Sequence, residues 1–420
     1  MALQHSPLLR AAPLLAAITL PLTGCGFGNS LLGGDSAAAS LGQAAAAPTV
    51  FGYAVADEPQ AALVARQILN DGGNAADAAA AAGFAMAVTL PSRAGLGGGG
   101  SCIIKMPGAQ GNPQPAVTLI FPPASNSAQG DRPAAAPTMA RGLLALQARY
   151  GTLPYASVIA PAERLAAGGV PVSPALAADL QVVGNALLAD PAARAVFAAP
   201  GGGVLPAGAN LVQPDLATTL EILRTQDVEG LYKGSFGTQF LAAANQAGGG
   251  LTQADLDAAL PHYGKPNVSK ISGVMVATIP TAAPSANLPA SAAFAALDKN
   301  GGVVACATTM NNLFGTGRIA PGTGILLAAS PRAVPAPLLA AGIAYSGGEF
   351  RAAVTGTGQE GAAVAVADGL ANALAKTPAA QVPEPGRANI IACPGGVPGG
   401  EASCTASADP RGQGLAIGGR

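Results

Sequence analysis

The chain has 420 residues and a net charge of −1; only 10% of it is charged and 4% aromatic, and 57 Gly and 36 Pro stand against no Trp and two His. High apolar content with little net charge excludes bulk disorder, and the lack of a basic stripe excludes a nucleic-acid footprint. His5 lies near the start and His262 stands alone. That leaves nothing from which to build a multi-histidine metal site or a Ser-His-Asp triad, and no metal or other cofactor is expected.

Residues 1–24 read as a secretory signal. Arg10 supplies the positive region, and Ala11 to Leu22 form an apolar stretch. That stretch is shorter than the roughly 20 residues a bilayer span needs. It ends in Leu22-Thr23-Gly24-Cys25, which resembles the bacterial lipobox, where the Cys thiol takes a diacylglycerol and becomes the new N-terminus. The alternative is an ordinary signal peptide with a chance Cys. Gly26 rather than Asp follows Cys25, which favours the outer membrane, facing the periplasm, over inner-membrane retention. Residues 25–49, rich in Gly, Ser and Ala, are expected to be a flexible tether between membrane and domain.

Apolar residues at helical spacing predict a helix over 57–71, stopped by Gly72-Gly73. Asn74 with Asp77 three residues on is an N-cap and capping-box pattern, opening a buried helix over 75–90. Gly95-Leu96-Gly97-Gly98-Gly99-Gly100 leads into a strand near 101–106, so it is no phosphate loop. A strand over 117–121 and helices near 138–150, 154–168, 174–188, 214–226, 235–247 and 252–259 follow. Strands are expected near 273–279, 292–298, 302–309, 323–328 and 351–355, then a helix over 361–375. Residues 377–420 show little periodicity and much Gly and Pro, and are expected to be a tail. The order predicts an α+β layered domain without βα alternation. Cys393 and Cys404 read as a local disulfide, whereas Cys102 and Cys306, inside apolar runs, read as buried small residues.

Several stretches, in order over about 52–375, resemble the γ-glutamyltranspeptidase (γ-glutamyltransferase, glutathione hydrolase) family. They include Gly72-Gly73-Asn74-Ala75-Ala76-Asp77, the Gly95–Gly100 run, Tyr150-Gly151-Thr152-Leu153-Pro154, Gly168-Gly169-Val170-Pro171 and Leu231-Tyr232-Lys233-Gly234. Asp298-Lys299-Asn300-Gly301, Phe314-Gly315-Thr316-Gly317 and Gly322-Thr323-Gly324-Ile325-Leu326-Leu327 continue the match. The resemblance implies a four-layer αββα N-terminal-nucleophile sandwich, here shortened. It also implies self-cleavage into two subunits, over a large-subunit-like 50–290 and a small-subunit-like 291–376. The hydroxyl freed at the new N-terminus would attack a γ-glutamyl or other small peptide-like ligand, its own α-amine serving as base and no His being needed.

Counting back from Asp298-Lys299-Asn300-Gly301 puts the nucleophile on Ser291; the alternative is a small residue at a strand start. Thr309 falls on a position that orients the nucleophile, Asn311 on a substrate-binding position, and Gly358, in Gly358-Gln359-Glu360-Gly361, on the oxyanion-lining glycines. Other positions depart from the family. The Arg that grips the substrate carboxylate is replaced by Pro122, and the acid for its amine is missing from Ala328-Ala329-Ser330-Pro331-Arg332-Ala333. Ala340-Ala341 stands at the paired serines, and a long helical stretch before Ser291 is missing. Two expectations therefore compete. One is a γ-glutamyl hydrolase or transferase with altered substrate. The other, favoured by the lost contacts, is a lipid-anchored, non-catalytic relative serving as an envelope binding or structural module.

Overall fold

In the computed structural model, which describes residues 50–108, 114–127, 130–280, 291–334, 338–375 and 382–419, the chain opens with β1 (Gly52–Ala56). The expected leader, Cys25 and the tether lie outside the described residues. Glu58 ends β1's overhang by capping α1 (Pro59–Asn70), its carboxylate accepting from Ala61 N and Thr89 Oγ1. Asn74 and Asp77 form the expected reciprocal capping box on α2 (Ala75–Thr89), every residue of which is buried. The short α3 (Pro91–Ala94) then leads to β2 (Gly99–Lys105) and β3 (Val117–Phe121).

The middle of the chain is helical: α4 (Met139–Tyr150), α5 (Tyr155–Gly168), α6 (Pro174–Leu187), α7 (Pro191–Phe197), α8 (Pro214–Gln226), α9 (Glu229–Tyr232), α10 (Gly234–Gln246) and α11 (Gln253–Ala258). A two-stranded ribbon, β4 (Val170–Pro171) with β5 (Asn210–Leu211), lies among them. Strands β6 (His262–Gly264), β7 (Asn267–Ile271), β8 (Val274–Thr278), β9 (Ser291–Asp298) and β10 (Val303–Thr309) follow. After the ribbon β11 (Ile319–Ala320) with β12 (Ile325–Leu326) come β13 (Ala340–Ser346), β14 (Glu349–Thr357), α12 (Ala362–Leu374), β15 (Arg387–Val397), β16 (Thr405–Ser407) and β17 (Leu415–Gly419).

Two antiparallel sheets result, in the orders β17-β1-β9-β10-β2-β3-β6 and β16-β15-β14-β13-β8-β7. Side-chain alternation gives each sheet two apolar faces. Ala54, Ala56, Ala292, Phe294, Ala296 and Val304 pack on α1, α2 and α4, while Val55, Ala295, Leu297 and Ala305 meet Ala341, Ile343, Ala353 and Ile391 of the second sheet. The outer face of the second sheet, with Val276, Ala340, Ala352, Val354 and Ile390, packs on Ala362, Ala365, Val366 and Leu370 of α12. The order helix, sheet, sheet, helix is the expected four-layer αββα sandwich, shortened so that α12 is the cover on the second sheet among the described residues. Alanine in both interlayer cores explains the composition: small side chains let the layers approach closely.

Two expectations are corrected. The stretch 377–420 is no unstructured tail over its described part, because it supplies β15, β16 and β17. Its Gly and Pro residues cluster at the turns, while Ala388–Cys393 is buried and pairs with β14 on one side and β16 on the other. Cys102 and Cys306 are buried, as expected, but they are also bonded to each other. They sit directly opposite on β2 and β10 with Cα atoms 4.0 Å apart, a proximity that sheet pairing creates across 204 residues of sequence. The Cys393–Cys404 disulfide is present.

Candidate active site

Ser291 is the first residue of β9, a strand near the middle of the first sheet, and is 3% exposed. It lies directly opposite Thr309 of β10, which in turn lies opposite Gly99 of β2. Alternation places Ser291 and Thr309 on the face of Ala295, Leu297, Val303 and Ala305, the face turned toward the second sheet. Thr309 Oγ1 accepts from Asn311 N at 2.8 Å. Asn311 is held in the left-handed region at φ 61°, and its Nδ2 donates to Ala329 O at 2.8 Å. The three expected residues are thus joined in one structure at the head of β9.

The glycine run beside them is needed for close backbone approach. A Cβ at Gly98 would lie 2.3 Å from Thr309 O, and one at Gly99 would lie 2.1 Å from Thr138 Oγ1. A side chain at Gly98 would push the run away from β10 and disturb Thr309, and one at Gly99 would press on Thr138 and the end of β3.

Gly358 sits on the second sheet, just past β14, with φ 94°. A Cβ there would lie 2.0 Å from Pro385 O, so the turn is pressed against the entry to β15 and only glycine fits. Two contacts show which end of the sandwich it occupies. Asn389 Nδ2 of β15 donates to Asp57 Oδ1 at 2.6 Å, and Asp57 Oδ2 accepts from Ala293 N of β9 at 2.9 Å. At the far end, Gly301 lies against Val397 O. Strands β9 and β15 therefore run in step, and the heads of both, with Thr357 and Gly358 alongside, share the end that holds Ser291.

Asp57 is a site residue that the sequence did not signal. Its backbone N also donates to Ala293 O, so it holds both backbone groups of Ala293 at the head of β9. Burial pushes its carboxyl above the usual range, opposed by the Asn389 amide and by the charges of Arg93 and Arg387. Asp298 closes the other end of β9, its Oδ2 accepting from Ala75 N at the positive end of α2.

The positions at which the sequence departs from the family's substrate grips are spread over three elements. Pro122 follows β3 and is exposed. Arg332 lies exposed on a turn that Ser330 anchors by donating to Asn126 Oδ1. Ala340 and Ala341 open β13 and pack into the two apolar layers, offering no hydroxyl. Among the described residues, no group of three or more His, Cys, Asp or Glu is arranged to hold a metal.

A hydroxyl residue at the head of a central strand, inside stacked antiparallel sheets flanked by helices, defines the N-terminal-nucleophile fold class. Residues 61–287 match the family described as gamma-glutamyltranspeptidase, and the chain belongs to that family. It is 33% identical over 224 residues to a glutathione hydrolase proenzyme of Escherichia coli (strain K12), covering 49% of this chain and 38% of that protein. It is 34% identical over 230 residues to an acylase ACY 1 proenzyme of Pseudomonas sp. (strain SE83), covering 49% of this chain and 40% of that protein. The chain thus spans about two fifths of the length of these curated relatives. The fold is also that of a cephalosporin acylase from Bacillus halodurans, with a TM-score of 0.69 at 19% identity, over 88% of this chain and 96% of that one.

Proposed function

We propose that this chain keeps the family's nucleophile layout at Ser291 and has given up recognition of γ-glutamyl zwitterions. The observation that carries this reading is the placement of Ser291: head of a central strand, facing the opposite sheet, with Thr309 beside it. Cleavage before Ser291 would free its α-amine, which takes the proton from Oγ as Oγ attacks an acyl carbonyl. Thr309 would orient the nucleophile, Asn311 would contact the ligand, and backbone N–H groups at Gly358 would face the developing oxyanion. The ligand is a γ-glutamyl-like or other small peptide-like acyl compound, and no cofactor takes part.

The lost grips argue against glutathione itself. Each charge-assisted contact removed costs about 1.5–3 kcal/mol of binding. With Pro122, Arg332 and Ala340-Ala341 in place of the grips, release of p-nitroaniline from γ-glutamyl-p-nitroanilide is expected to stay at the buffer rate, even for chain already split before Ser291. Turnover well above buffer would sink the loss of γ-glutamyl recognition. The same substitutions favour a second reading, a non-catalytic binding or structural module, which predicts a chain that never splits.

The proposal also places the domain in the bacterial cell envelope, held in the outer membrane by acylated Cys25 and facing the periplasm. Its support is Leu22-Thr23-Gly24-Cys25 followed by Gly26. Metabolic labelling with palmitate is expected to mark the parent chain and not Cys25→Ala; equal labelling would end this part of the reading.

A further inference from the structure

The end of the sandwich that holds Ser291 also holds a cation that the fold does not use. Arg387 opens β15, opposite Thr357 of β14 and next to the Gly358 turn. It is half-buried, and its side chain makes no hydrogen bond or ion pair among the described residues. Other guanidinium groups in this region are committed. Arg93 forks onto Asp179, and Arg411 holds Asp409 together with the carbonyl oxygens of Val382 and Gly386.

Position ties Arg387 to Ser291. Asn389 lies on the same face of β15 and reaches across to Asp57, which holds Ala293 of β9. Two residues toward the open end from Ala293 is Ser291, and two residues toward the same end from Asn389 is Arg387. The charge of Arg387 is felt at Asp57. Thr355, opposite Asn389 on that face, has a buried hydroxyl without a partner among the described residues. The unpaired guanidinium of Arg387 and, one residue pair deeper on the same face, the orphaned hydroxyl of Thr355 are donors suited to an anionic oxygen. The nearby Asp57 carboxylate accepts from Asn389 and Ala293.

We infer that Arg387, assisted by Thr355, is the residue that recognises the ligand's carboxylate, and that the ligand is an acyl compound carrying that carboxylate with its carbonyl at Ser291. This rests on the proposed layout around Ser291, but not on turnover. It moves the anion grip from the first sheet, where Pro122 stands, to the second.

The test uses the full chain and a probe that cannot be hydrolysed: 5-oxohexanoate, which has a carbonyl and a carboxylate, against its uncharged counterpart hexan-2-one. Equilibrium dialysis of the parent chain is expected to show 5-oxohexanoate bound about 10- to 100-fold more tightly, as one charge-assisted contact would give. Arg387→Met is expected to erase that difference, and Thr355→Val to reduce it. A parent chain that binds both probes equally, or neither, overturns the inference, as does Arg387→Met that still prefers 5-oxohexanoate. Should Arg387→Met melt early, Arg387→Lys replaces it: weaker, salt-sensitive preference supports the inference, and an unchanged preference at high salt overturns it. A chain that binds the probe through Arg387 yet never cleaves an amide would sink the nucleophile reading and leave Arg387's role standing.

Discussion

Purified chain, reduced and denatured, is expected to give two masses that divide it between Ala290 and Ser291, while Ser291→Ala gives one. The chemistry is balanced within the chain. Ser291 Oγ attacks the carbonyl of residue 290, the C–N bond breaks as a C–O ester bond forms, and water then hydrolyses the ester, leaving a carboxylate on residue 290 and a free α-amine on Ser291. The geometry favours this because the head of β9 is fixed by Thr309 on one side and by the Asp57 clamp on Ala293 on the other. Removing the hydroxyl removes the nucleophile, so processing should slow by at least about a thousandfold, the scale seen when a catalytic nucleophile is deleted. Ser291→Thr keeps the hydroxyl, adds the β-methyl that restricts χ1, and should still split. A parent chain that stays whole through prolonged incubation would select the non-catalytic module instead.

The largest loss of stability is expected from Asp77→Ala. Asp77 is fully buried in α2, and its carboxylate accepts from Asn74 N, Gln147 Nε2, Thr152 N, Thr152 Oγ1 and Leu153 N. Truncation strands the buried Gln147 amide, takes the acceptor from the half-buried N–H groups of Asn74 and Leu153, and removes the capping box from a helix buried on every side. The expected cost is about 2–4 kcal/mol, read as a lower urea midpoint at unchanged slope. Asp77→Asn, which keeps one acceptor oxygen, should lose less. A loss below about 1 kcal/mol would mean that the Thr152 loop finds other acceptors.

The helices were legible because their signals are local. The Asn74–Asp77 box, the Gly72-Gly73 stop and the apolar spacing of α4, α5, α6 and α8 each lie within one or two turns, and the observed ends of these helices fall within a residue or two of those read from the sequence; the short α7 was not read. Much of the second sheet was not legible. Strand β15 is buried on both faces and shows no alternation, and β13 and β7 are short runs between turns. The same holds at the site. Ser291, Thr309 and Asn311 follow one another closely enough to be counted from a neighbouring motif. Asp57, Thr355, Arg387 and Asn389 come from the first strand and two of the last, and only sheet stacking brings them to the head of β9.

The bond between Cys102 and Cys306 joins β2, which precedes the proposed cut, to β10, which follows it. A chain severed before Ser291 would therefore still be one covalent molecule. Its halves would also be interleaved, since β1 lies between β17 and β9, and β8 pairs with β13. On a non-reducing gel, processed and unprocessed protein would carry the same mass. The event that would decide this protein's activity is thus hidden from size until a thiol opens that one bridge.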